Sequence, residues 1–181
     1  MRGPLLAGID GAVVRRFGEE ARERIVSLLP DEHADVLRRG RPDPLAAHDV
    51  DLLRLYCDLA SRVYSLDPAA FRALGRDAVE HELAPFLRTV VLPGRLRDVL
   101  PRVVNILSRL ADFGVWTLDQ TLLDPVILRI DDFLPVTPLL RSFYEGVLER
   151  VVQLSVASEA RATQLPAPTA SPRFELEVTV G

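Results

Sequence analysis

A chain of 181 residues, 48% hydrophobic and 27% charged, is long enough to hide roughly 70% of the surface its unfolded form exposes, which excludes disorder throughout and makes one domain spanning 1–181 the expectation. The net charge is −4 and all 22 basic residues are arginines interspersed with acids, so no broad positive field exists to hold a nucleic acid or an anionic membrane. One cysteine, Cys57, and three scattered histidines exclude an internal disulfide and a closed zinc site.

A reducing, cytoplasmic compartment is expected from that cysteine usage, and no stretch approaches the roughly 18 apolar residues of a membrane span. In chain order, Leu5, Leu6, Ile9, Val13, Val14 and Phe17 recur at three- and four-residue spacing and predict a helix broken by Gly18. A second helix is predicted over 19–29, with Glu19 and Glu20 at its positive end and Pro30 as its stop. Asp31 caps a short third helix. Residues 38–43, broken by Gly40 and Pro42, form a loop whose arginines are read as solvated.

Asp49 or Asp51 caps a helix running to about Tyr64, and Asp67-Pro68 opens another that stops or kinks by Pro85. After Pro93-Gly94 comes the most hydrophobic helix, with Leu96, Val99, Leu100, Val103, Ile106, Leu107 and Leu110 inward and Arg95, Arg102 and Arg109 outward. Pro101 lies inside it and predicts a bend. Beyond Gly114 the residues Val115–Leu118 and Val126–Ile130 read as a hairpin, and Thr137-Pro138 opens a last long helix. A strand is expected near 160–165, then a Pro/Ala/Thr/Ser loop over 166–172, then the alternating strand Phe174, Leu176, Val178, Val180. The fold class is α+β: a helical part over about 1–113, followed by a β-β-α-β-β antiparallel sheet region over about 114–181.

No catalytic set emerges. His33 and His48 lie in polar surroundings, and His81, between Glu80 and Glu82, lacks a second ligand one turn away. Neither a phosphate-binding loop nor a nucleophile elbow is present. Asp131 and Asp132 are adjacent on a strand and point to opposite faces. Cys57 reads as a small buried hydrophobe, with a sensing thiol as the alternative. The chain is therefore expected not to be an enzyme.

The pattern Met-x-Gly at the start, followed by Val14-Arg15-Arg16-Phe17-Gly18-Glu19-Glu20-Ala21-Arg22-Glu23-Arg24-Ile25, resembles the opening of haem-nitric-oxide-binding (H-NOX) domains. Leu74-Gly75-Arg76, Gly94-Arg95 and Tyr144-Glu145-Gly146 resemble further motifs of that family, in the family's order. In texture the chain is similar to myxobacterial paralogues of that family and of 4-vinyl-reductase-like domains, in Leu28-Leu29-Pro30 and Asp112-Phe113-Gly114. The resemblance implies an H-NOX-like fold and a sensor or signalling role.

The same resemblance implies a haem-ligating histidine at Leu107, or at Ile106 or Ser108 if the register slips, and none of these is histidine. The propionate-holding Tyr-x-Ser-x-Arg motif would fall at Ile130, Asp132 and Leu134, where none of its side chains occurs. Family-type haem binding, and any cofactor, is thus expected to be absent. Val103, Leu107, Leu110, Phe113, Trp116 and Phe143 are the expected lining of the relic pocket, which is either filled or open to an apolar ligand. Arg95, Arg102 and Arg109 are the candidate docking surface for a protein partner. Self-association is a second expectation, through Trp116 and an open edge on the terminal strand. The function expected is a haem-independent signalling or protein-interaction module, the alternative being a sensor of an apolar small molecule.

Overall fold

A computed structural model describes residues 3–40, 42–43, 46–84, 94–111, 113–121, 125–133, 137–156, 159–166 and 173–179. Among these residues seven α-helices and four strands follow in the order α1 (Gly3–Phe17), α2 (Glu19–Leu28), α3 (Asp31–Arg38), α4 (Val50–Tyr64), α5 (Pro68–Ala78), α6 (Leu96–Ala111), β1 (Val115–Asp119), β2 (Val126–Asp131), α7 (Pro138–Ser155), β3 (Arg161–Gln164) and β4 (Phe174–Thr179). Local chemistry sets the helix starts. Asp49, Asp67 and Thr137 each sit in extended backbone and accept a bond from an amide of the first turn, from Asp51, Ala70 and Leu140 respectively, which satisfies one of the donors that every helix start leaves over. Gly18, at φ 88, turns the chain between α1 and α2.

The four strands form one antiparallel sheet in the order β1-β2-β4-β3. Pairing of Trp116 with Ile130, Leu128 with Leu176, Ile130 with Phe174 and Ala162 with Val178 puts these residues on one face. That face is apolar and packs on α6 and α7. The opposite face carries the ion pairs Arg129–Glu175 and Arg173–Asp131, both at 2.6 Å. The α+β reading and the β-β-α-β-β order agree with this architecture.

Three expectations need correction. Asp31 does not cap α3: it is the first helical residue, and Pro30 stands at the cap position without a side-chain bond. The helix opened at Pro68 passes at Val79 into a turn of π-helix that ends at Leu83, a wider winding that pattern spacing of three and four does not reveal, and Pro85 itself lies outside the described residues. The terminal strand is also no open edge, because β4 pairs with β2 on one side and β3 on the other. Of that strand's expected residues, Val180 lies outside the described ones.

The helices meet most closely where α5 crosses α7. A Cβ at Gly75 would collide with the Phe143 carbonyl, and one at Gly146 with the Arg72 carbonyl, so the two backbones touch through glycine. Around this crossing Glu149 receives Arg72 at 2.8 Å and Arg76 at 2.9 Å, and Glu145 receives Arg72 at 3.2 Å. The motifs Leu74-Gly75-Arg76 and Glu145-Gly146 are thus the two halves of one contact.

Candidate functional site

Helix α6 buries Leu96, Val99, Leu100, Val103, Val104, Leu107 and Ala111 and runs through Pro101 without interruption. Proline cannot donate to the carbonyl one turn back, that of Arg97. Gln120, just past β1, supplies the missing donor: its Nε2 donates to the Arg97 carbonyl at 3.4 Å, while Arg97 Nη2 donates to the Gln120 carbonyl at 2.6 Å. The proline is accommodated by tying α6 to the end of β1.

Arg95, Arg102 and Arg109 are all exposed. No described carboxylate is within ion-pair distance of any of the three, although Asp98 lies exposed on the same side of the helix. Several other arginines are engaged: Arg22 by Asp10, Arg38 by Asp31 and Asp35, Arg54 by Asp51 and Asp58, Arg72 and Arg76 by Glu149, Arg150 by Glu80, whereas the exposed Arg16, Arg24, Arg39, Arg62 and Arg161 make no ion pair among the described residues either. What sets Arg95, Arg102 and Arg109 apart is their seven-residue spacing, which lines them up on the outer side of α6 and the residue before it.

The six expected pocket residues divide into two groups. Val103, Leu107 and Phe143 are fully enclosed in the core, whereas Leu110, Phe113 and Trp116 are half-buried against it. Trp116 faces inward, its Nε1 donating to the Phe113 carbonyl at 3.0 Å, and so does not offer an apolar outer sheet face. Between α6, α7 and the sheet lies an aromatic cluster that pattern reading assembled only in part. Phe113 stands 5.2 Å from Phe133 and 5.6 Å from Tyr144; Phe133 stands 5.3 Å from Tyr144 and 5.2 Å from Phe174; Phe143 stands 5.8 Å from Tyr144. Such pairs add roughly 0.5–1.5 kcal/mol each beyond their buried area.

Two groups in this interior could ligate or bond. The Tyr144 hydroxyl is buried and has no hydrogen-bond partner among the described residues, and the thiol of Cys57 is enclosed in the core. Burial pushes both well above their usual ranges, with each group's proximity to other acids adding to the effect, so both stay protonated and neither offers the anionic form that binds metal. The three histidines lie on α3, in the segment before α4 and in the π turn. Leu107 is buried at 2% exposure, Ile130 points into the core, and Asp132 is exposed at φ 54; Leu134 lies outside the described residues. Leu107, Ile130 and Asp132 thus differ in chemistry from the imidazole, tyrosine and serine that the resemblance implies there.

The sheet's two edges differ. Along the β3 edge side chains take three of the groups that point away from β4: Gln153 Nε2 donates to the carbonyl of Ala160, just before the strand, at 3.0 Å, Arg72 Nη2 donates to the Ala162 carbonyl at 2.9 Å, and the Gln164 amide donates to Glu145 Oε1 at 3.0 Å. On β1 the backbone of Val115–Asp119 makes no hydrogen bond among the described residues beyond its ladder with β2. Exposure alternates along β1, and Val115 is 57% exposed.

One buried polar network was not read from the sequence. Arg22 Nε reaches both Asp10 oxygens at 2.9 Å, its Nη2 donates to the Leu37 and Gly40 carbonyls at 2.7 and 3.0 Å, and Tyr56 donates to Asp10 at 3.0 Å. It ties α1, α2, α4 and the end of α3 together. Burial raises the Asp10 carboxyl in spite of the arginine beside it. Asp10 occupies a position in the apolar stripe of α1, and only the distant Arg22 explains why a carboxylate stands there. A cleft of about 270 Å³ opens beside it, lined in part by Glu19, Arg15 and Glu82, with Arg22 Nε and Nη2 already engaged in the clasp.

No protein-family model matches the sequence, and no curated protein is significantly similar to it. Solved structures do match along the whole chain. A Cs H-NOX mutant carrying 4-cyano-L-phenylalanine aligns with TM-score 0.71 and 13% identity, covering 99% of this chain and 96% of that one. The Fe(II) unliganded H-NOX protein from K. algicida aligns at TM-score 0.69 and 10% identity, covering 99% and 96%. An oxygen-binding H-NOX domain related to soluble guanylate cyclases aligns at 0.68 and 12%, covering 98% and 93%. At these identities the likeness concerns the fold. Among the described residues no helix is long and apolar enough to cross a membrane. The element order, the α5–α7 crossing and the small antiparallel sheet give this chain an H-NOX-like α+β fold, carried by a divergent sequence.

Proposed function

We propose that this chain is a haem-independent signalling module that keeps the H-NOX-like fold as a docking scaffold and contacts a protein partner through the exposed face of α6. The observation that carries this reading is the division of α6 itself. Its inner side carries hydrocarbon, Leu107 included, at the position where the resemblance implies an axial imidazole, and edge-to-face phenylalanine and tyrosine rings pack in the neighbouring space. Its outer side presents Arg95, Arg102 and Arg109 exposed, with no ion pair among the described residues, and exposed cations of this kind speed and orient encounter with an acidic surface. Nothing in the site assembles a nucleophile, a base and an orienting group, so no enzymatic step is proposed. The test is optical. Purified chain expressed with excess haemin is expected to show no stoichiometric Soret band, and a strong band retained through gel filtration would overturn the reading.

A second reading is favoured by one specific observation, the unpartnered hydroxyl of Tyr144. A buried hydroxyl in apolar surroundings supplies one hydrogen bond to an enclosed guest, as a sensor of a largely apolar small molecule requires. Organic extraction of the purified protein followed by mass spectrometry separates the two. A recurring ligand at one copy per chain supports the sensor, and a clean extract supports the docking module.

A further inference from the structure

An antiparallel sheet must dispose of two edges, because each presents a row of donors and acceptors that will pair with any strand within reach. This sheet disposes of one by its own side chains. On β3, residues two apart along the strand are each met by a group from α5 or α7, namely Gln153, Arg72 and Glu145. On β1 no side chain does the same among the described residues, and the strand has none of the usual protective devices. Val115–Asp119 contains no proline and no lysine, pairs with β2 without a bulge in its register, and carries its single charge, Asp119, at the end. Its inward side chains Trp116 and Leu118 are only partly buried, although their neighbours on β2, Ile130 and Leu128, are fully enclosed. The apolar face of the sheet is thus unfinished at this margin too.

We propose that a second copy of this chain covers the β1 edge, the two β1 strands pairing antiparallel about a two-fold axis at Thr117. The strand is complementary to itself in that register. Side chains alternate between faces with a period of two, so pairing about Thr117 sets Trp116 opposite Leu118 of the second copy, on the apolar face, at both ends of the axis. Thr117 meets its own equivalent on the outer face. A slip by one residue would put Trp116 against the solvated face, so the apolar pattern selects the register. The contact is isologous and closes at two copies, because each chain has one such edge and β3 is already capped. This interface is independent of the arginine face of α6, and either can stand if the other fails.

The experiment uses the full chain in two forms. Opposed residues of an antiparallel pair have Cα atoms about 4.5–5.5 Å apart, within reach of a disulfide. Thr117→Cys is therefore expected to form an interchain disulfide under mild oxidation, while Thr163→Cys, the equivalent exposed position on the capped strand β3, stays monomeric. Cys57 does not interfere, since it is enclosed. Sedimentation from about 1 to about 200 μM is expected to show a concentration-dependent dimer for the parent chain and a monomer for Thr117→Lys, which faces two like charges across the axis without touching the core. A parent chain that stays monomeric throughout would overturn the proposal, and so would Thr117→Cys linking no faster than Thr163→Cys.

Discussion

The side of the molecule built from α5, α7 and β3 differs in kind from the side built from α6 and β1. On the first, glycines bring two helix backbones into contact, Glu145 and Glu149 each receive arginine, and the strand edge is closed by side chains. On the second, among the described residues, three arginines stand without carboxylates and the strand edge makes no bond beyond its ladder with β2, and Ile106, Leu110, Phe113, Trp116 and Leu118 remain only partly covered. Both sides rest on the same continuous core. The difference is in how polar groups end: a side whose charged groups and strand edge are largely met from within acts as a frame, and a side that leaves more of them to solvent is free to meet another molecule.

Four variants sharpen that contrast. The largest effect is expected from Gly146→Ala, because the added methyl meets the Arg72 backbone and neither helix can yield; a loss of about 3 kcal/mol or more in urea unfolding is expected, at the upper end of overpacking. Glu149→Ala removes the shared acceptor of Arg72 and Arg76, whose side chains are 29% and 42% exposed. Since water can rehydrate both, the loss is expected to be roughly 1–3 kcal/mol, below that of a fully buried pair. Tyr144→Phe should hold or raise the melting temperature, by up to about 1 kcal/mol of added stability, since it deletes an unsatisfied buried hydroxyl; a clear loss would mean that the hydroxyl holds a guest in solution. Arg102→Glu combined with Arg109→Glu is expected to change unfolding by less than about 0.5 kcal/mol, which separates the proposed docking face from the frame.

Most helix starts were legible in the sequence because a cap is a local event: Asp49, Asp67-Pro68 and Thr137-Pro138 announce themselves within four residues. The hairpin and the alternating last strand were legible for the same reason. The π turn at Val79–Leu83 was not, since its spacing departs from the pattern that reveals helices. Strand order was not legible either, and placing the terminal strand at an edge led to the wrong open margin; β4 is interior because β3, a four-residue strand of ordinary composition, pairs outside it. Of the site, the two faces of α6 followed from periodicity alone. The contributions of Phe133, Tyr144 and Phe174 to the aromatic cluster, the capping of β3 and the clasp of Arg22 on Asp10 depend on residues far apart in the chain, and nothing local signals them.

Backbone amide exchange resolved along the full chain at low micromolar concentration tests the contrast most directly, because an amide inside a closed network exchanges only when the structure opens. The Gln164 amide, held by Glu145, is expected to exchange only with global unfolding, and the β1 amides that point away from β2 at least about 100-fold faster. Equal protection of both edges in the dilute monomer would show that β1 is closed from within and would contradict the account.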